Sequence, residues 1–174
     1  MKQYVRRPTE ARKQHGAVAI EFAVIFLVFF TVLYAIIAYS IPFLLTLSFK
    51  HISADAAREA VRVSPTVQNY PGRVSQQIYE TIDNSWLPAD WRQDDCPAPD
   101  SDWIRLPPHQ GRSYGHYRME SAPTRYHLNV CLQREYSKAT AIIPILTVFG
   151  VDIPSLPKDE NGQTFLRGRT TIRL

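Results

Sequence analysis

Gly16-Ala17-Val18-Ala19-Ile20-Glu21-Phe22 is the stretch of this chain whose residue types and spacing imply a defined chemical event. Glu21 opens a long apolar run. A carboxylate costs roughly 2.5–3.5 kcal/mol at the centre of a membrane helix, so it needs a partner or a route out of the lipid. The partner that the spacing offers is the amino group freed by a cut after Gly16. The alternative is a side chain that snorkels to the headgroup level.

The other reactive residue types form no such arrangement. His109, His116 and His127 lie near Asp100, Asp102 and Glu120 in the sequence, but their spacing fits no zinc signature. Ser113 and Ser121 lack a nucleophile-elbow context. Cys96 and Cys131 are not in a C-x-x-C motif, and no glycine loop could cradle a phosphate. We therefore expect no catalytic residue, metal, cofactor or small-molecule substrate. The chain reads as the substrate of an enzyme rather than as an enzyme.

The elements that would position the junction follow from charge and hydropathy. Of the net charge of +4, all arises before the junction: residues 1–16 hold Lys2, Arg6, Arg7, Arg12 and Lys13 against Glu10. The remaining residues carry 15 basic and 15 acidic side chains. Nucleic-acid binding needs cations clustered on the folded part, so it is excluded. Residues 22–47 contain no charge over 26 positions, and a helix of about 20 residues suffices to cross a bilayer. No polar stripe interrupts the run, as it would in a core helix. The leader cations place the N-terminus in the cytoplasm and the rest on the exported side. A secretory signal cut at Ala54-Asp55-Ala56 would have a shorter apolar region. Arg6-Arg7 is followed by Pro8 and Thr9, unlike a twin-arginine signal.

Joined to the tract Ser53-Ala54-Asp55-Ala56-Ala57-Arg58-Glu59-Ala60-Val61-Arg62, this leader, junction and span resemble the TadE/TadF family. Its members are pseudopilins of the tight-adherence (Flp-type) pilus systems of bacteria. The resemblance is close over residues 12–64 and loose beyond. It implies processing by a membrane prepilin peptidase, with Gly16 the last leader residue and Ala17 the new N-terminus. Glu21 and Phe22 become the fifth and sixth mature residues. It also implies partnership with other pilin-like subunits and an inner-membrane assembly platform, in a pilus used for adhesion. Glu21 would then pair with the Ala17 amine of a neighbouring subunit and set the register between them.

Beyond the span the helix should continue to Pro65. Ile52, Ala56, Ala60 and Val63 form a narrow face of small apolar residues on which another helix or a sheet could pack. His51, Asp55, Arg58 and Arg62 line the opposite side. A second helix is expected over residues 72–85, with Val74, Ile78 and Ile82 inward, and a cluster of Trp86, Leu87 and Trp91 after it. Residues 92–102 and 107–115 read as loops flanking a strand at 103–106. Tyr126, Leu128, Val130 and Leu132 alternate with His127, Asn129, Cys131 and Gln133, a half-buried strand pattern. Residues 139–149, with Pro144 inside, suit a short helix, an irregular core segment or a patch on the membrane surface. Asn161-Gly162 marks a turn before a last amphipathic strand over 166–174. Export to an oxidising compartment favours a Cys96–Cys131 disulfide over two free thiols.

The expected layout is a basic leader (1–16), a transmembrane helix (17–48), its periplasmic extension (49–64) and a periplasmic head (65–174). The fold class is α+β, with a short antiparallel sheet in the head. Two other readings stay open: an uncleaved single-pass membrane-anchored scaffold or binding protein, and a secreted enzyme released after Ala56.

Overall fold

The computed structural model describes residues 15–121, 124–148, 150–159 and 161–174; most of the basic leader lies outside them. The chain divides into two compact units, one ending at Ile37 and one spanning Ala38–Leu174. Helix α1 covers His15–Val61. In the first unit its apolar side chains point outward all round, from Val18 and Ile20 to Ile36 and Ile37. Water would not cover such a surface, and α1 is long and apolar enough to cross a membrane. Inside the run the Thr31 hydroxyl donates to the Leu27 carbonyl at 2.8 Å, satisfying itself within the helix.

The second unit is α+β. Strands β1 (Ile104–Arg105), β2 (Gly115–Ser121) and β3 (Thr124–Glu135) pair in order. A last strand, Phe165–Arg173, pairs with the free side of β3, and every pairing is antiparallel. Between them, β4 (Leu146–Val148) and β5 (Val151–Ile153) make a separate hairpin, so the last strand is β6. Helix α2 (Tyr70–Asp83) carries Pro71 in its first turn and buries Tyr70, Val74, Ser75, Ile78 and Ile82. Its side chains join Leu45, Phe49, Ile52 and Ala56 of α1 against Leu128, Val130 and Leu132 of β3 in one core.

Several expectations need correction. Helix α1 ends at Val61, before Pro65, because the chain tightens into a turn where Arg62 and Val63 donate to the Glu59 and Ala60 carbonyls. Pro65 also disfavours a helical residue before it. Trp86 is 67% exposed while Leu87 is buried, so the three-residue cluster does not form. Trp91 instead lies 4.0 Å beneath the Arg134 guanidinium. His116 sits on β2. Residues 139–148 contain no helix; their end supplies β4. Strand β3 is not half-buried: Asn129, Cys131 and Gln133 on its second face are buried too. The segment around Gln93–Pro97 accounts for this. Gln93 pairs with Gln133, Cys96 is bonded to Cys131, and Arg169 donates to the Pro97 carbonyl at 2.7 Å.

Candidate functional site

At the N-terminal end, Gly16 and Ala17 have helical backbone. A residue four positions on lies one turn further along the same face, which places Glu21 above Ala17. Glu21 is exposed, amid exposed Val18, Ile20, Phe22 and Val24. Among the described residues it has no ion-pair partner. Phe22, Phe26 and Phe30 stack along one side with ring centroids 5.9 and 4.3 Å apart. The arrangement is a carboxylate, unpaired among the described residues, on an apolar helix one turn beyond Ala17.

The small-residue face of α1 is occupied within the Ala38–Leu174 unit. Ile52, Ala56 and Ala60 are buried there, and Val63, just past the helix, packs partly against the same core. The occupied face is wider than the sequence spacing suggested, since Phe49, Ser53 and Ala57 are fully buried as well. Its partner is a sheet. A Cβ placed on Gly168 of β6 would lie 2.2 Å from the Phe49 carbonyl carbon and 2.3 Å from the Lys50 nitrogen. The Ser53 and Thr170 hydroxyls meet at 3.0 Å beside this crossing. Gly168 was the residue that sequence reasoning passed over; a glycine inside an alternating strand is itself the sign of a close backbone approach. On the opposite side of α1, His51–Asp55, Asp55–Arg58 and Glu59–Arg62 pair at 2.9, 3.1 and 3.0 Å. Such exposed pairs each contribute no more than about 1 kcal/mol.

The three histidines do not converge. His109 stacks on Tyr79 with ring centroids 5.1 Å apart, and His127 pairs with Glu120 at 3.2 Å. His116 is buried beside Asn129 across the β2–β3 ladder. Ser113 donates to the Leu106 carbonyl at 2.7 Å, a structural bond. Among the described residues, His, Cys, Asp and Glu form no group able to hold a metal ion. The Cys96–Cys131 disulfide is present, with Cα atoms 6.2 Å apart.

Burial, and then the charges of Arg105 and Arg169, hold the His116 pKa below its ordinary 6.5. Above that pH the group is neutral in both folded and unfolded chains. Below it the unfolded chain takes up a proton that the folded histidine refuses, so stability falls with pH. Urea midpoints should therefore drop between pH 7 and 5, and His116→Gln should flatten part of that drop. A slope unchanged by the substitution would show that His116 does not carry it.

The first unit supplies an apolar helix long enough to cross a membrane, and the second is a small α+β unit with an antiparallel sheet. The family model described as TadE-like protein matches residues 16–62, from Gly16 to just past the end of α1. Over that stretch the chain is similar to TadE-like proteins. Comparison with curated proteins and with solved structures returned no match.

Proposed function

We propose that the protein is a minor pilin or pseudopilin of a Tad/Flp-type pilus used in adhesion, with no enzymatic activity of its own. It is made as an inner-membrane precursor, N-terminus in the cytoplasm and head in the periplasm. A prepilin peptidase cuts it after Gly16. Mature chains then assemble with other pilin-like subunits on the inner-membrane platform. The observation that supports this best is Glu21, an exposed acid with no ion-pair partner among the described residues, on an apolar helix one turn beyond Ala17. Cleavage after Gly16 creates an ammonium group at Ala17 that neutralises such a carboxylate, within the chain at i,i+4 or across to a neighbour.

N-terminal sequencing of the membrane-extracted protein tests the reading. Ala17 is the expected first residue. An intact Met1 would favour an uncleaved anchored scaffold, and Ala57 a secreted form. Glu21→Ala should still insert and be cut, yet yield far fewer assembled filaments in sheared fractions. Undiminished assembly would discard the pairing.

A further inference from the structure

We propose that the outer edge of β6 takes up an extended acidic segment of another polypeptide, which joins the four-stranded sheet as a fifth strand beside β6. This edge lies wholly within the Ala38–Leu174 unit, and its use requires neither cleavage nor a membrane.

The free backbone groups follow from the ladder. Antiparallel strands alternate between pairs that exchange both backbone bonds and pairs that exchange none. Tyr126 and Leu174 exchange both, and the Tyr136 N–H donates to the Thr164 carbonyl. In the unbroken register of β3 with β6, the bonded residues of β6 are therefore the even-numbered ones. Arg167, Arg169, Thr171 and Arg173 turn their N–H and C=O groups away from β3. The strand is the last of its sheet, and among the described residues those groups have no hydrogen-bond partner. Neither a proline nor a bulge, two common guards of an edge, interrupts it.

The side chains of the same four residues share one face of the sheet. Three are arginines, and among the described residues only Arg173 meets a carboxylate, that of Glu120 at 3.1 Å. Arg167 donates instead to the Gln133 side chain at 3.0 Å and Arg169 to the Pro97 carbonyl at 2.7 Å, both neutral acceptors. The buried Nε of Arg169 has no hydrogen-bond partner at all. Burial, and then the charge of Arg167, lowers the Arg169 pKa, the direction expected of a cation that lacks an anion.

Charge complementarity names the occupant. A strand that pairs with this edge sets every second side chain against the arginine row. Carboxylates at those positions supply the missing counter-ions, while the backbone bonds hold the strand in register. The β6 strand of a second copy would instead set arginines against arginines, which like charges oppose. The row thus admits an acidic partner and discourages self-pairing.

The test uses the full chain in detergent micelles and a capped synthetic peptide that alternates glutamate with valine, with amide exchange followed residue by residue by NMR. The peptide should slow exchange at Arg167, Arg169, Thr171 and Arg173 and leave the intervening amides, already bonded to β3, unchanged. Thr171→Pro removes one outward N–H without touching the β3 ladder and should weaken binding about tenfold or more. Thr171→Val loses the same Asn129 bond but keeps the N–H, and should bind like the parent chain. A peptide that alternates lysine with valine should not bind. Equal binding of the lysine peptide overturns the charge match, and binding without the alternating protection overturns strand addition. No binding of the glutamate peptide overturns the proposal outright. The same protection appearing without peptide as protein concentration rises assigns the edge to a second copy and also overturns it.

Discussion

Replacing Gly168 with valine will prevent the sheet from closing on α1 within the head. The new Cβ would stand 2.2 Å from the Phe49 carbonyl carbon, 2.3 Å from the Lys50 nitrogen and 2.6 Å from the Phe49 Cβ. These are atoms of a helix backbone and of a fully buried side chain, so no flexible tip can swing aside. Nor can β6 yield, because its register with β3 holds Gly168 opposite Leu132 in a continuous run from Phe165 to Arg173. Strand and helix must separate, which opens the core that Phe49, Ile52, Leu132 and Leu166 share. Overpacking typically costs about 1–3 kcal/mol and sometimes more. We expect Gly168→Ala to cost about 3 kcal/mol, at the top of that range, and Gly168→Val to leave the head protease-sensitive in detergent. Arg173→Ala, on the same strand but in an exposed pair with Glu120, should cost at most about 1 kcal/mol. Equal behaviour of the two positions would remove the close crossing from the account of the fold.

That crossing also shows which parts of the fold were legible in the sequence. The four-residue spacing of Ile52, Ala56 and Ala60 gave the buried face of α1, since small side chains are a local record of close approach. Val74, Ile78 and Ile82 likewise gave α2, and alternation gave β3 and β6. What could not be read was set by partners distant in the chain. Residues 115–121 are rich in polar groups, and their strand exists through pairing with β3. Asn129 and Gln133 looked like a solvent face, but the segment tied to Cys131 lies over them.

Hydropathy has the same blindness within α1. Residues 22–47 read as a single span, yet Ala38, Pro42 and Leu45 are buried in the head. An apolar side chain looks alike whether lipid or protein will cover it. The stretch left for lipid, residues 18–37, is 20 residues long. At ~1.5 Å per residue this gives about 30 Å, the thickness of a bilayer core. Glu21 then lies one turn inside one end of the span rather than deep within it. A carboxylate there costs less than one at the centre of the span.

Removing the disulfide is expected to cost about 4 kcal/mol by the chain-entropy argument for residues 35 apart. The bond also holds the covering segment over the second face of the sheet. Cys131 is fully buried at the centre of that face, with Asn129, Gln133 and His116 around it. The other fastenings are polar and include the Gln93–Gln133 bridge, the Glu135 N–H bond to the Gln93 side chain, the Arg105 pairs with Asp94 and Asp95, the Arg169 bond to Pro97, and the Asp94 carboxylate that accepts from the Ser113 N–H at 2.8 Å. In the Cys96→Ser/Cys131→Ser variant these polar contacts compete with water and the segment lifts more often. His116 then hydrates and its pKa returns toward 6.5. The double variant should therefore unfold at lower urea and lose much of the extra stability that the intact protein gains between pH 5 and 7. Denaturation at both pH values, with and without reductant, measures both effects. A stability loss with an unaltered pH slope would separate the disulfide's entropic role from its role as the fastening of the sheet's cover.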